Sequence, residues 1–188
     1  MESIPCELCG DTTYTVVRRY RRDKYFDQFP DARPQGRVVV CQQCGYVYQN
    51  PRWDARELEL IYSEKRRDKQ EPSPETAAQS VRAADEAAAW VEARLPSRAG
   101  RPGRFLDIGS GQGYHVRAFA ERGWQAVGIE PRWSSCQYAR RSFGVNIVQG
   151  YFTPALFTQP FDLVALTETL EHLPRPVEFL SRLRAGGL

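Results

Sequence analysis

An α/β fold, in which a small cysteine-anchored ribbon precedes a parallel sheet, is what three features of this 188-residue chain predict. The first is a pair of Cys-x-x-Cys-Gly knuckles, Cys6 to Gly10 and Cys41 to Gly45. The second is the run Arg104 to Tyr114, an apolar stretch that gives way to Gly109, Gly111 and Gly113. The third is Gln125 to Glu130, another apolar run that ends in a carboxylate. Strand, glycine turn, helix and acid-terminated strand follow one another as in a βαβ unit that holds a nucleotide-type cofactor.

The knuckles come first along the chain. Each presents two thiolates to one tetrahedral ion, and the two together complete a four-thiolate zinc site of Cys6, Cys9, Cys41 and Cys44. Thr12 to Val17 and Arg37 to Cys41 are the expected strands of this zinc ribbon. Disulfides are the competing account. The paired spacing and the lack of a signal-peptide pattern favour zinc, and duplicate pairs fit a metal better than a redox couple. The fifth cysteine, Cys136, reads as a small half-buried side chain.

The run Arg18 to Tyr25 interleaves basic and aromatic residues in a way that suits a phosphate backbone. Whole-chain charge argues against that partner: 26 basic against 23 acidic residues leave only +3. A solvated hairpin face, or contact with an anionic small molecule, explains the run as well, and nucleic acid is not the expected partner. No segment approaches the roughly 20 apolar residues that span a bilayer. A soluble, cytoplasmic protein without membrane attachment is the expectation.

Glu64 to Pro74 is charged and proline-interrupted, a linker or lid. From Glu75 to Leu95 a helix is expected, with Val81, Ala84, Ala88, Val91 and Leu95 as its apolar stripe. Pro96 to Pro102 ends it. Four strands follow: Phe105 to Ile108, Ala126 to Glu130, Asn146 to Gln149 and Phe161 to Leu166. A helix starts near Gln112, and others cover Trp133 to Ser142 and Arg175 to Arg184. Asp162 is read as tying the entrance of the fourth strand together. The expected boundaries are 1–52 for the ribbon, 53–100 for the linker and first helix, and 101–188 for the parallel-sheet domain.

The glycine spacing differs from the Gly-x-Gly-x-x-Gly that presents a helix terminus to a pyrophosphate, which makes nicotinamide cofactors the minor reading. Leu106 to Gly113 instead resembles the first motif of the class I S-adenosylmethionine-dependent methyltransferases. Glu130, Phe161 to Leu166, Thr169 to Pro174 and Arg184 to Leu188 resemble further segments of that family. The resemblance covers about residues 101–188 and implies a Rossmann-like methyltransferase sheet that binds S-adenosyl-L-methionine. It implies that Gly109 and Gly111 pass beneath the methionine portion with Gly113 completing the loop, and that Asp107 supports the loop. Glu130 would accept hydrogen bonds from the ribose hydroxyls. Asp107 as a helix cap and Glu130 as a solvated strand end are the plain alternatives. Asp107, Glu130 and Glu168 suit a ligand that carries a sulfonium and an ammonium but no phosphate. Where many relatives have an acid after the third strand, this chain has Gly150 and Tyr151, so Tyr151 would cover the adenine by stacking.

On the acceptor side, the resemblance points to His172 as general base or substrate-positioning group, with Glu171 beside it; a hydrogen-bonded histidine at a helix start is the plain alternative. Residues 6–66, including Tyr46 to Pro51, resemble the zinc-binding domain that precedes the methyltransferase domain of bacterial sugar C-methyltransferases. That implies a small-molecule acceptor of the nucleotide-linked sugar class; Tyr62 lines its pocket or, on the plainer and favoured reading, packs in the core. Four strands are legible against the family's usual seven, so the sheet reads as incomplete at its C-terminus. The alternative from another class is a zinc-ribbon interaction module fused to an inactive or regulatory cofactor-binding fold.

Overall fold

The computed structural model describes residues 2–19, 36–54, 56–57, 71–95, 102–153, 159–173 and 175–185. The chain divides into two compact units, Met1–Ile61 with Pro174–Phe179 and Tyr62–Leu173 with Leu180–Leu188. Residues 20–25 of the basic run, Tyr62, residues 64–70 of the linker and Gly186 to Leu188 lie outside the described residues.

In the first unit, β1 (Tyr14–Arg19), β2 (Arg37–Cys41) and β3 (Val47–Gln49) form an antiparallel sheet in that order. β1 starts later than the sequence suggests because Asp11 holds a turn: its Oδ1 accepts from the Thr13 N–H at 3.2 Å. It also runs on to Arg19, across a register shift between Val16 and Arg18. A strand, β3, stands where only an aromatic-Asn-Pro turn is expected, because Val47, Tyr48 and Gln49 pair back onto Val40, Val39 and Val38. Asn50 then ties in the amino-terminal segment. It is 1 % exposed, donates from Nδ2 to the Ile4 carbonyl at 3.0 Å and accepts from the Ile4 N–H at 3.1 Å.

The second unit opens with α1 (Pro74–Glu92), capped by Ser73, whose Oγ accepts from the Thr76 N–H at 3.2 Å. Proline at its start sacrifices no helical hydrogen bond. β4 (Arg104–Ile108), β5 (Gln125–Glu130), β6 (Ile147–Gln149) and β7 (Leu163–Ala165) form a Rossmann-like parallel sheet in the order β6-β5-β4-β7. α2 (Tyr114–Ala120) and α3 (Trp133–Phe143) are the crossovers, and α4 (Pro176–Ala185) follows the sheet. α2 begins at Tyr114 rather than near Gln112, because the Gly113 N–H closes a turn onto the Ser110 carbonyl at 2.9 Å first. Asp162 ties β7 to β4 as expected: its Oδ2 accepts from the Arg104 N–H at 2.8 Å, and its own N–H donates to the Arg104 carbonyl at 2.9 Å.

The stripe on α1 explains how that helix docks. Ala84 and Ala88 are fully buried against Phe105, Ala118, Phe119 and Trp124, with Val91 and Leu95 packed at the edge. Phe105 stacks on Phe119 at 4.0 Å between centroids, and Trp124 donates from Nε1 to Glu92 at 2.6 Å. Small residues on α1 let the aromatic layer come close, which suits dense packing. Polar groups fix the register. Arg117 on α2 is nearly buried, pairs with Glu121 and donates to Asp85 of α1 at 2.7 Å, while Arg122 reaches the same Asp85 oxygen at 3.1 Å. A second cluster, Val116, Cys136, Ala139, Val145 and Ile147, joins α2 and α3 beneath β6, so Cys136 is fully buried rather than half-buried.

Removing Asp85 strips the nearly buried Arg117 of one carboxylate partner. Asp85→Ala should lower the unfolding free energy by about 1–3 kcal/mol, less than a fully buried pair would cost because Asp85 is partly solvated. Urea denaturation checks it; an unchanged midpoint would contradict the clamp.

Candidate functional site

The candidate site lies at the carboxyl edge of the parallel sheet. The chain steps outward from β4 to β5 and β6 and then returns to place β7 on the opposite side of β4. Ligands of open α/β sheets bind where strand order reverses in this way.

Glu130, the last residue of β5, organises the edge. Although only 7 % exposed, it accepts from the Gly111 N–H through Oε2 at 2.9 Å and from the Arg132 N–H through Oε1 at 2.9 Å. Its own strand also holds the start of the glycine loop, since Gly109 and Ser110 both donate to the Ile129 carbonyl, at 2.8 and 3.0 Å. Each carboxylate oxygen retains a further lone pair that can accept from a ligand hydroxyl.

The three loop glycines serve different ends. A Cβ on Gly111 would meet nothing within 4 Å, and with φ at +51° its backbone is bare toward open space. A Cβ on Gly109 would lie 2.3 Å from Thr169 Oγ1, and one on Gly113 would lie 2.8 Å from Ala139 Cβ. Gly109 and Gly113 therefore make room for other parts of the chain. Gly111 alone of the three offers bare backbone to a ligand.

Asp107 sits within β4, 2 % exposed, with Gly128 and Ala165 as its lateral neighbours. It caps no helix: α2 is preceded by Gly113 with no side-chain cap. Burial pushes the Asp107 carboxyl up to about 7, and the negative charge of Glu130 adds to the shift. His115 Nδ1 lies 3.9 Å from Asp107 Oδ2, and burial lowers the His115 pKa. A cationic ligand at this edge would relieve the crowding of two carboxylates.

Beyond β7 the chain turns sharply. Glu168 is exposed and has a φ of +50°, a left-handed conformation uncommon for a residue with a side chain. Glu171 and His172 lie in the 3-10 turn Leu170–His172, both exposed, with the His172 N–H donating to the Thr169 carbonyl at 3.0 Å. Tyr151 follows Gly150, whose N–H is held by the Glu130 carbonyl at 3.0 Å, and its ring is 66 % exposed. The structure thus brings Asp107, Gly109, Gly111 and Glu130 together in one edge, while Gly113 serves packing. Thr169, Ser110 and Gly128 fall within the motif segments, whose pattern gives none of the three a role of its own. A Cβ on Gly128 would lie 2.5 Å from Ser110 Oγ, so that glycine within β5 marks the close approach of the loop.

The first unit carries a separate constellation. The thiols of Cys6, Cys9, Cys41 and Cys44 all lie within 4.8 Å of one another, with Cys6–Cys44 and Cys9–Cys41 at 3.5 Å. None is disulfide-bonded. Each knuckle closes in the same way: Gly10 N–H donates to the Cys6 carbonyl at 2.7 Å, and Gly45 N–H to the Cys41 carbonyl at 3.0 Å. Burial raises the Cys41 thiol, but the backbone N–H groups of Cys44 and Gln43 outweigh it and bring the group down to about 7. At Cys9 the Asp11 N–H favours the thiolate, yet burial and the neighbouring thiols outweigh it and push the group up to about 12. Four thiols so close cannot all ionise unless a cation replaces their protons, and their spacing fits tetrahedral coordination with metal–sulfur bonds near ~2.3 Å.

A family model described as "Methyltransferase domain" matches residues 80–186. An uncharacterized methyltransferase of Mycobacterium ulcerans (strain Agy99) is 34% identical over 109 residues, covering 53% of this chain and 41% of that protein. Among solved structures, Streptomyces venezuelae DesVI shares 22% identity at a TM-score of 0.40, covering 55% of this chain and 48% of its own. S-adenosylmethionine-bound CalS10, an amino pentose methyltransferase from Micromonospora echinaspora, shares 26% identity at 0.42, covering 64% and 51%. The chain thus spans less than half the length of the curated relative.

Asp107 yields a pH test. Its folded pKa is raised above the unfolded value, so the folded state holds a proton that the unfolded chain releases, and stability falls as pH climbs from about 4 toward about 7. Asp107→Asn should therefore exceed the parent in unfolding free energy at pH 8 by on the order of a few kcal/mol, with the gap closing toward pH 4. Denaturant melts at both pH values check this; a gap independent of pH would contradict it.

Proposed function

The chain belongs to the methyltransferase-domain family through residues 80–186, and from that premise we propose that the protein binds S-adenosyl-L-methionine and transfers its methyl group to a small acceptor. The observation that carries this reading is the pairing of Gly111, bare toward open space, with the carboxylate of Glu130 at the end of β5. Transfer, acceptor and partners are proposed for the whole protein, since this chain spans only part of its relatives.

In this reading Glu130 accepts hydrogen bonds from the ribose hydroxyls while still holding Gly111, and Asp107 supports the glycine loop from the end of β4. Tyr151 and Glu168, both exposed beside the sheet edge, contribute a ring for the adenine and an acceptor for the cationic end. The bound cofactor supplies a methyl group already activated by a sulfonium. The protein's remaining work is to orient the acceptor in line and to take its proton where it carries one. His172 is assigned as that base or as a positioning group, with Glu171 beside it. The leading acceptor class is a sugar-bearing molecule such as a nucleotide-linked sugar; it rests on the resemblance of the amino-terminal cysteine segment to that of sugar C-methyltransferases. Cys6, Cys9, Cys41 and Cys44 would hold one structural zinc as a ribbon over residues 1–52. Four thiolates leave that ion no open position for chemistry. Residues 53–100 would serve as linker and first helix, and 101–188 as the cofactor-binding domain.

Titration calorimetry with S-adenosylmethionine and its demethylated product tests the cofactor assignment. Glu130→Ala should weaken binding by roughly 1.5–3 kcal/mol, the worth of a charge-assisted hydrogen bond. Well-folded protein that binds neither compound, or a Glu130→Ala variant with parental affinity, would overturn it.

Elemental analysis of purified protein should find one zinc per chain, and chelation should melt the first unit while leaving the parallel sheet folded. Metal-free protein with a native first unit would refute the zinc assignment.

A further inference from the structure

Among the described glycines of the sheet edge, Gly109 is the one whose added Cβ would come nearest a neighbouring atom, and that atom belongs to Thr169. Thr169 precedes the 3-10 turn that carries Glu171 and His172, and its side chain fills the space that a Cβ on Gly109 would need: Oγ1 would be 2.3 Å away and Cγ2 2.9 Å. Its Oγ1 donates back to the Thr167 carbonyl at 3.1 Å, which favours the rotamer that faces Gly109. The left-handed Glu168 fixes the direction from which Thr169 arrives.

Contacts on either side extend this fit. Toward the cofactor loop, Gly109 is held by the Ile129 carbonyl, and Gly111 is held by the Glu130 carboxylate at 2.9 Å. Toward the acceptor side, the His172 N–H rests on the Thr169 carbonyl at 3.0 Å. Glu130 thus holds Gly111, the loop backbone leads through Ser110 to Gly109, and Thr169 stands between Gly109 and His172. We infer that Thr169 is a positioning residue that sets the cofactor-binding glycine loop against the turn bearing His172, through its fit with Gly109. The inference rests on the cofactor reading above. Its physical basis is that displacement of a reacting group by about 1 Å costs on the order of 100-fold in rate. Two loops from different strands need a common stop to hold such tolerances, and Thr169 supplies it.

The test is binding of S-adenosylhomocysteine, measured by calorimetry with thermal unfolding of each variant alongside. Gly109→Ala should weaken binding by about 10-fold or more, and Thr169→Gly alone by a few-fold, roughly 3 to 10. Thr169→Ser, which keeps the hydroxyl and its bond to Thr167, should stay within about 2-fold of the parent. The deciding variant is Gly109→Ala/Thr169→Gly. Removing the atoms that the new Cβ would strike should recover much of the affinity lost in Gly109→Ala, though not all, since alanine at a φ of +76° stays strained. A double variant no better than Gly109→Ala, or a Thr169→Gly protein with parental affinity, overturns the inference. A purely structural role would show as parallel losses of melting temperature and affinity in every variant, and it too overturns the inference. If the parent binds no S-adenosylhomocysteine, the cofactor reading itself has failed. If the parent binds and the double variant shows no recovery, only the positioning role has.

Discussion

The hydrogen bond from the Gly111 N–H to the Glu130 carboxylate, 2.9 Å long and largely shielded from water, is the interaction on which the sheet edge depends. A charge-assisted bond in a low-dielectric setting is worth more than the same bond at the surface, and leaving either partner unpaired costs more still. It ties the loop after β4 to the end of β5, which leaves that loop little choice of path. Given that path, side chains at 109 and 113 would collide with Thr169 and with Ala139, so glycine is required at both. At 111 the requirement is of another kind. No atom of the described residues lies within 4 Å of where its Cβ would stand, and that open side of the backbone is what a ligand would approach.

The same edge concentrates negative charge. Asp107 and Glu130 lie on neighbouring strands, both nearly buried, and burial together with the charge of Glu130 raises the pKa of Asp107. Burying a carboxylate without a cationic partner costs stability, and such costs persist at sites that a charged ligand later compensates. The four cysteines of the first unit crowd ionisable groups in the same way. Their thiols are packed within 4.8 Å, which is unfavourable for thiolates alone and favourable around a divalent cation.

Much of this was legible in the sequence, and the exceptions share a cause. The parallel strands, α1 with its Ala84 and Ala88 stripe, and the paired cysteine knuckles follow from periodicity and spacing, because local pattern decides them. β3 has no signal of its own because Val47 to Gln49 is too short to carry an alternating pattern and becomes a strand only by pairing with β2. The start of α2 is not legible because nothing local reveals that the Gly113 N–H is spent on a turn before the helix begins. Thr169 carries no local sign of this role, because its partner Gly109 lies in the loop after β4, far away along the chain. Only the sheet order β6-β5-β4-β7, with β7 beside β4, brings the two together.

A crystal structure of this chain soaked with S-adenosylhomocysteine tests the central claim most directly. The ribose hydroxyls should lie within hydrogen-bonding distance of the Glu130 oxygens, and the amino-acid portion over the backbone of Gly111. Ligand density elsewhere on the chain, with no contact to Glu130 or Gly111, would contradict it.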